Sequence, residues 1–291
     1  SRAEYTEGFQ VDPVPTLFIV ATPLGNLADM VPRGLEVLQT VDTIAAEDTR
    51  RSAPLLAHFQ ITTPMRAYHD HSGERDTQRL LQVLRDGGSV ALISDAGTPL
   101  ISDPGYRLVD AAVSEGFRVS PIPGPSAVIA ALSVAGLPSD RFVFEGFLPS
   151  KVQARQKQLL TLAREPRTMI FYEAPHRLLD SVADIAECMG GERVVVLARE
   201  LTKLYETVVR LPAGELVDWI AADRNQQRGE CVLLVAGYRA VDDELPAEAI
   251  YIFDTLREEL PLKQAASLAA KLTGVKKNRL YQYGLDAPLK K

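Results

Sequence analysis

The chain has 291 residues, 46% of them hydrophobic and 24% charged, with a net charge of −6 and two cysteines. These values are typical of a globular protein of about two domains, and they exclude a disordered regulator, a collagen-like fibre and a disulfide scaffold. The apolar runs are too short for a membrane-spanning helix. Two cysteines without a pairing pattern favour a reducing compartment, and hence the cytoplasm. Residues 1–15 are polar and lack the apolar segment of a secretory signal, so we expect a loose N-terminal arm.

The first half of the chain alternates apolar runs with helical patterns. Four runs predict strands: 16–20, 43–46, 89–94 and 117–122. Residues 32–39 predict a helix, and Asp103 with Pro104 is typical of the start of another, which Gly116 would end. This alternation of strands and helices predicts a mostly parallel sheet that is covered on both faces.

A turn rich in proline, Pro123-Gly124-Pro125, divides the chain near its middle, because it can continue neither a strand nor a helix. Beyond it, Ser126 is predicted to cap an alanine-rich helix. The apolar runs at 142–147, 168–172, 194–198, 207–211 and 231–236 predict strands, with helices at 151–164, 176–189 and 213–222. Fewer helices separate the last strands, which indicates a mixed sheet. We therefore expect two α/β domains, at 16–122 and 123–240.

The C-terminal extension, residues 241–291, differs in charge from the rest of the chain. Residues 241–260 hold seven acids and one base, whereas residues 261–291 hold seven bases and one acid. Short helices are predicted at 254–259, 262–273 and 278–284, the last two joined by Gly274 as in a helix-turn-helix. The basic half is a candidate for binding a phosphate backbone or an acidic partner, and the alternative is a solvated helical surface.

Polar turns follow several of the predicted strands, where open α/β sheets bind their ligands. Three such turns lie in and after the first half: 21–26, 94–99 and 123–127. None has the glycine spacing of a dinucleotide or P-loop fingerprint.

Charged segments follow strands in the second half at three places: 172–177, 198–203 and Glu206. Arg177, Arg199 and Lys203 could hold phosphates, and Glu173, Glu200 or Glu206 could orient them by ion pairing. Three charged segments at strand ends predict a cleft. No metal is expected, because His69-Asp70-His71 has no further ligands near it in the sequence.

A series of motifs carries a family resemblance. In chain order they are Ala21-Thr22-Pro23-Leu24-Gly25-Asn26-Leu27, Ala46-Glu47-Asp48-Thr49-Arg50, Ser94-Asp95-Ala96-Gly97-Thr98-Pro99, Pro123-Gly124-Pro125, Glu145-Gly146-Phe147-Leu148-Pro149, Phe171-Tyr172-Glu173-Ala174-Pro175-His176-Arg177, Ala198-Arg199-Glu200-Leu201-Thr202-Lys203 and Gly229-Glu230. Together they resemble the ribosomal RNA small-subunit methyltransferase I family, and the extension resembles that family's small helix-turn-helix. The resemblance covers about residues 16–284.

The resemblance implies an α/β fold with two domains of the tetrapyrrole methylase type, a donor-binding cleft between them and a C-terminal helical extension. It implies 2'-O-methylation of a cytidine ribose in the decoding region of 16S ribosomal RNA, with S-adenosylmethionine as donor, and a cytoplasmic homodimer. Carried over residue by residue, the donor contacts are Pro23, Gly25, Asp95, Ala96, Gly97, Thr98, Ser126, Ala127, Tyr172 and Glu230.

Transfer to a ribose hydroxyl requires a base or a hydrogen-bonding partner for the acceptor. The candidates by residue type and location are Glu47, Asp48, Glu200 and Lys203, and the sequence does not choose among them. The expected RNA contacts are Arg50, Arg177, Arg199, Lys263, Lys276 and Lys277. Two alternatives stay open: methylation of a small tetrapyrrole, and a non-catalytic RNA-binding factor in ribosome assembly.

Overall fold

The computed structural model describes residues 14–69, 71–102, 105–239 and 245–286. The contacts divide the chain into two compact units, Ser1–Gly237 and Tyr238–Lys291, which are described separately below. Nearly all of the predicted N-terminal arm lies outside the described residues, as do Asp103 and Pro104. Among the residues that are described, no helix is long and apolar enough to cross a membrane.

Five parallel strands form the first sheet of the larger unit. They are β1 (Thr16–Val20), β2 (Thr43–Ala46), β3 (Met65–Ala67), β4 (Val90–Ile93) and β5 (Arg118–Ile122), in the spatial order β3-β2-β4-β1-β5. The intervening helices are α1 (Pro32–Thr40), α2 (Thr49–His58), α3 (Glu74–Arg85) and α4 (Tyr106–Ser114). Because every strand pair is parallel, all five carboxyl ends meet at one edge of the sheet.

The first sheet is buried on both faces, as the sequence predicts. Ile44 and Ala46 pack into one apolar cluster, whereas Ala45 between them packs into another. Side chains alternate across a strand, so these two clusters lie on opposite faces of the sheet. The continuous apolar run of β2 is thus what a doubly covered parallel sheet requires.

The second sheet has five strands of mixed direction. After α5 (Ala127–Val134) come β6 (Phe142–Phe147), α6 (Val152–Leu162), β7 (Thr168–Glu173), α7 (Leu178–Met189), β8 (Val194–Arg199), β9 (Thr207–Pro212), α8 (Ala213–Ala222) and β10 (Cys231–Val235). The spatial order is β6-β7-β10-β8-β9. Strand β6 is parallel to β7, whereas β10 is antiparallel to both of its neighbours, so the prediction of a mixed sheet is confirmed.

The antiparallel insertion of β10 fixes which residues share an edge of the second sheet. Cys231, the first residue of β10, pairs with Glu173 at the end of β7 and with Arg199 at the end of β8. The segment before β10 therefore lies beside the segments that follow β7 and β8.

Within its described residues, 238–239 and 245–286, the smaller unit has three helices around a small apolar core. They are α9 (Ala247–Glu259), α10 (Leu262–Thr273) and α11 (Lys277–Asp286), with Gly274 in a left-handed conformation (φ 74°) at the end of α10. The core comprises Ala249, Phe253, Ala265, Ala266, Ala269 and Leu280. The predicted pair of helices around Gly274 is confirmed. The helix predicted at 254–259 is longer than expected and starts at Ala247, directly after Pro246.

Three elements between residues 49 and 88 have no counterpart among the predictions. Helix α2 contains Pro54, helix α3 is strongly polar, and strand β3 is a three-residue edge strand with little burial. The proline within α2 and the short length of β3 weaken the local signal of these two elements. Helix α3 is amphipathic, with Leu80, Leu81 and Leu84 buried on one face, so its apolar periodicity is present in the sequence although no helix is predicted there. Helix α4 begins at Tyr106, after Gly105 with a φ of 132°.

Candidate functional site

A cavity of about 320 Å³ lies between the two sheets. It is bordered on one side by the carboxyl edge of the first sheet, and on the other by the carboxyl ends of β7 and β8 and the start of β10. Its lining is mostly apolar, with a few hydroxyl groups and two carboxylates. The lining residues are Leu24, Ala96, Gly97, Thr98, Ile101, Ser102, Ser126, Ala127, Phe147, Tyr172, Glu173, Ala174, Pro175, Ala198, Leu201, Glu230, Cys231 and Val232. A concave, largely apolar site with a few convergent polar groups is typical of small-molecule binding.

Three turns of the first sheet are tied together to form one wall of this cavity. Thr22, after β1, exchanges two backbone hydrogen bonds of 3.0 Å with Gly97, after β4. The Thr98 hydroxyl donates to the carbonyl oxygen of Pro125, after β5, at 2.8 Å. Gly97 has a φ of +80°, and a Cβ there would lie 3.1 Å from the Leu24 side chain. Glycine is therefore required by the backbone and also leaves the main chain open to the cavity.

The second wall is anchored by Glu173, whose side chain is fully buried. One carboxylate oxygen accepts from the Ala174 N–H at 2.7 Å and pairs with Arg177 at 2.9 Å. The other accepts from the Ser181 hydroxyl at 2.6 Å. These bonds fix the turn after β7, which supplies Ala174 and Pro175 to the cavity lining.

Arg177 and Arg199 both bond to other residues of the chain. Arg177 pairs with Glu173 and donates to the Leu148 carbonyl, and its Nε is buried. Arg199 is 6% exposed, and four groups accept hydrogen bonds from it: the Gln226 side chain, the Arg228 and Tyr205 carbonyls and the Thr207 hydroxyl. RNA contacts by these two residues stay a prediction, and such contacts would have to compete with the bonds described here.

Lys203 joins three segments beside the cavity. Its ammonium bonds to Glu200 at 3.1 Å and to Glu230 at 3.0 Å, and Glu230 lines the cavity. Its aliphatic stem lies against Gly25, where an added Cβ would collide with it. Glu200 and Thr202 both have positive φ, which shows that the turn after β8 is held in a strained conformation. Gly25 therefore contributes close approach of Lys203 rather than a wall of the cavity.

Lys203 and Glu200 both stay ionised. Burial alone would lower the pKa of Lys203, but its bonds to Glu230 and Glu200 outweigh that effect and raise the pKa above the ordinary value. Burial would raise the pKa of Glu200, but the Glu230 N–H and the Lys203 ammonium outweigh it, so the pKa is lowered. A general base works best with a pKa near the working pH, and Lys203 would need a depressed pKa to serve as one. That condition is not met.

Asp95 forms a link between β4 and α2 rather than part of the cavity lining. Its carboxylate accepts from the Asp48 N–H at 3.2 Å and pairs with Arg51 at 3.0 Å. Asp48 caps α2 by accepting from the Arg50 N–H at 2.9 Å, and this bond holds the pKa of Asp48 below its usual value. Arg50 itself is exposed, with 91% of its side chain accessible.

The structure brings most of the predicted donor contacts into one place. Seven of them line the cavity: Ala96, Gly97, Thr98, Ser126, Ala127, Tyr172 and Glu230. Pro23, Gly25 and Asp95 do not, and Leu24 takes the place of its two neighbours in the first turn. None of the four candidate bases lines the cavity. Glu200 and Lys203 contact Glu230 beside it, whereas Glu47 and Asp48 lie next to Asp95.

Several lining residues have no sequence signal of their own. They are apolar or small: Leu24, Ile101, Ser102, Phe147, Leu201, Cys231 and Val232. Burial raises the pKa of the Cys231 thiol to about 12, so it stays protonated at neutral pH. Asp70 is outside the described residues, and no group of three or more metal-binding side chains occurs within the described part of the chain.

Two regions of the chain match known protein families. Residues 16–217 match the tetrapyrrole (corrin/porphyrin) methylases, and residues 243–287 match the RsmI C-terminal HTH domain. Over 273 residues the chain is 59% identical to "Ribosomal RNA small subunit methyltransferase I" of Pseudomonas aeruginosa, covering 93% of this chain and 97% of the relative. The chain belongs to the ribosomal RNA small subunit methyltransferase I family. Its member from Escherichia coli O157:H7 is 55% identical over 270 residues, covering 93% of this chain and 94% of the relative.

Solved structures confirm the tetrapyrrole methylase fold. Diphthine synthase superposes with a TM-score of 0.58 at 15% identity, over 76% of this chain and 90% of that one. Cobalt precorrin-4 methyltransferase superposes with a TM-score of 0.54 at 18% identity, over 76% and 94% of the two chains. At such low identity these likenesses show the fold alone. The family membership makes the cavity the candidate active site of a methyltransferase.

Proposed function

We propose that this methyltransferase transfers a methyl group from S-adenosylmethionine to the 2'-oxygen of a cytidine ribose in the decoding region of 16S ribosomal RNA. The observation that carries the proposal is identity of 59% and 55% to relatives named for small-subunit ribosomal RNA, along more than nine-tenths of the chain. A ribosomal substrate also places the protein in the bacterial cytoplasm.

The cavity fits such a donor in size, chemistry and backbone geometry. Its volume of about 320 Å³ lies in the range of small-molecule sites. Gly97 leaves bare main chain at the wall, and Ser126 and Ala127 bring the start of α5, with its free backbone N–H groups, to the same place. Glu173 and Glu230 of the lining are each paired with a cation, Arg177 and Lys203, so their main contribution is to fix the cavity wall. When bound, the donor supplies a methyl group activated by a sulfonium.

We propose that the protein acts on this reaction mainly by positioning. An in-line transfer needs the acceptor oxygen and the methyl carbon aligned, and small displacements reduce the rate strongly. Lys203 fixes the turns after β1 and β8 and the segment before β10, all of which border the cavity. An ammonium has three N–H donors. The Glu200 and Glu230 carboxylates accept from two of them, so the third N–H is available to hydrogen-bond the RNA substrate. Glu47, Asp48 and Glu200 stay the proposed proton acceptors, and the lowered pKa of Asp48 and of Glu200 makes each of these two a weaker base.

Replacing Lys203 with methionine is expected to lower kcat by about 100-fold, because three cavity-bordering segments lose their common partner. Lys203→Arg is expected to recover most of the loss, since a guanidinium can bond both carboxylates. Steady-state kinetics with both variants measures the effect. Lys157→Met removes an exposed lysine of α6 and serves as the control. Equal kcat for Lys203→Met and Lys157→Met would exclude the positioning role.

The reaction itself is tested with radiolabelled S-adenosylmethionine and small ribosomal subunits that lack the modification. We expect label in 16S RNA, and nuclease digestion with mass spectrometry should locate it on a cytidine ribose. Label on a base, or on a tetrapyrrole offered in parallel, would contradict the proposal. RNA binding without transfer would instead favour a role in ribosome assembly.

The remaining predictions concern partners. Arg50 is exposed at the carboxyl edge of the first sheet, and we propose it as an RNA contact together with Lys263, Lys276 and Lys277. The homodimer that the family resemblance implies is also a proposal, and light scattering of the purified protein tests it.

A further inference from the structure

The orientation of α11 within the C-terminal unit is fixed by close packing. Leu280 is fully buried, and Gly284, one turn later, lies against Leu262 and Phe253, with which an added Cβ would collide. Tyr283 faces the same way, since its ring makes an edge contact with Phe253 and its hydroxyl donates to Asp254. These contacts leave one side of α11 facing outward.

The outward side of α11 carries a row of exposed side chains, which we call the α11 stripe: Asn278, Tyr281, Gln282 and Leu285. Their spacing of three, four and seven residues puts them on one face of the helix. The stripe thus offers one aromatic ring, two amides and one apolar side chain. The Gln282 amide N–H donates to Asp286, which leaves its carbonyl oxygen as an acceptor.

Positive charge is concentrated near the N-terminal end of this stripe. Lys276 and Lys277 stand at the start of α11 and Lys271 near the end of α10, whereas the only acid of α11 is Asp286 in its last turn. The acids of the unit are concentrated in α9 instead, at Glu248, Asp254, Glu258 and Glu259. Side chains of the types that contact bases thus lie on the same helix as lysines of the type that contact phosphates.

The form of nucleic acid that this surface fits follows from groove dimensions. The major groove of A-form RNA is deep and narrow, so a helix such as α11 cannot read base edges in a paired stem. An exposed ring and amides can instead contact bases that are splayed out of a stack. Resting on the proposed function for the RNA substrate, we propose that the α11 stripe binds unpaired RNA, with Tyr281 stacking on a base and the flanking lysines on phosphates.

Fluorescence anisotropy with the full-length protein tests this proposal. The probes are a labelled single-stranded RNA taken from 16S sequence and the same strand annealed to its complement. Tyr281→Ala is expected to weaken binding of the single strand by about tenfold and to leave duplex binding nearly unchanged. Tyr281→Phe keeps the ring and should bind as the unchanged protein does. Lys276→Ala with Lys277→Ala should weaken binding of both probes and reduce its salt dependence.

Tyr251→Ala is the matched control, because Tyr251 is also an exposed tyrosine of this unit but lies on the acidic helix α9. Circular dichroism of each variant checks that the helices are intact. Equal single-strand affinity for Tyr281→Ala and Tyr251→Ala would overturn the proposal, as would an equal loss with the duplex. The binding assay is independent of methyl transfer. A protein that methylates no ribosomal RNA but loses single-strand affinity on Tyr281→Ala would refute the proposed function and retain this one.

Discussion

Replacing Gly97 with leucine is expected to reduce the affinity for S-adenosylmethionine by at least about 100-fold. The backbone φ of +80° is unfavourable for any residue with a Cβ, by roughly 1–2 kcal/mol. The leucine side chain would also enter the space between the Leu24 side chain, 3.1 Å from the added Cβ, and the Pro125 carbonyl, 3.6 Å from it. That space borders the cavity, so the ligand and the new side chain compete for it. Isothermal titration calorimetry measures the loss.

Gly116→Leu separates the two contributions, because it places the same residue at the same backbone conformation without blocking anything. Gly116 has a φ of +81°, is exposed, and has no atom within 4 Å of an added Cβ. Both variants should therefore lose the stability that a left-handed backbone costs, and Gly97→Leu should lose more because of crowding at Leu24. Only Gly97→Leu should lose affinity. Binding by Gly97→Leu at the unchanged affinity would remove the turn after β4 from the donor site.

Replacing Arg155 with methionine is expected to destabilise the larger unit by about 3–5 kcal/mol. Arg155 on α6 and Asp184 on α7 form a buried ion pair of 2.6 Å, with side chains 3% and 10% exposed. Gln156 also donates to Asp184, at 2.9 Å. Methionine fills a similar volume but leaves the Asp184 carboxylate buried without its cation, which is the costly half of such a pair. Urea denaturation measures the free energy of unfolding.

Two further variants serve as controls for Arg155→Met. Arg155→Met combined with Asp184→Leu removes both charges and should recover most of the lost stability. Arg79→Met breaks the exposed pair with Asp76, in which both side chains are more than 40% accessible, and should cost less than about 1 kcal/mol. A small effect for Arg155→Met, equal to that of Arg79→Met, would show that water reaches the Arg155–Asp184 pair.

The sequence predicts most strands of the two sheets, because a buried strand forms a continuous apolar run. Strands β2 and β4 are buried at every residue, so each is visible as an apolar run. The short edge strand β3 depends on its neighbours, which a local pattern does not reveal. Helix α3 does carry a local pattern of buried leucines, and the predictions do not include it. The sequence indicates a mixed second sheet, but the place of β10 between β7 and β8 depends on pairing across distant segments.

The residues of the candidate site also include some that the sequence predicts and some that it does not. Gly97, Thr98 and Ser126 are found from sequence because a polar or glycine residue directly after a strand marks a ligand edge. Leu24 and Val232 look like core residues, since an apolar cavity wall and an apolar core have the same composition. Charged residues were harder to place. Arg199 turns its donors towards carbonyls of the chain, and the partners that decide this are distant in sequence.

The central position of β10 has a consequence for the order in which this protein folds while it is being synthesised. The first sheet is complete once Ile122 has been synthesised, so it can form while the chain is still growing. The second sheet cannot close before Val235, because β7 and β8 are joined only through β10. A nascent chain arrested before Glu230 would hold a folded first sheet but no complete cavity. A ligand can therefore occupy the complete cavity only near the end of translation of this unit.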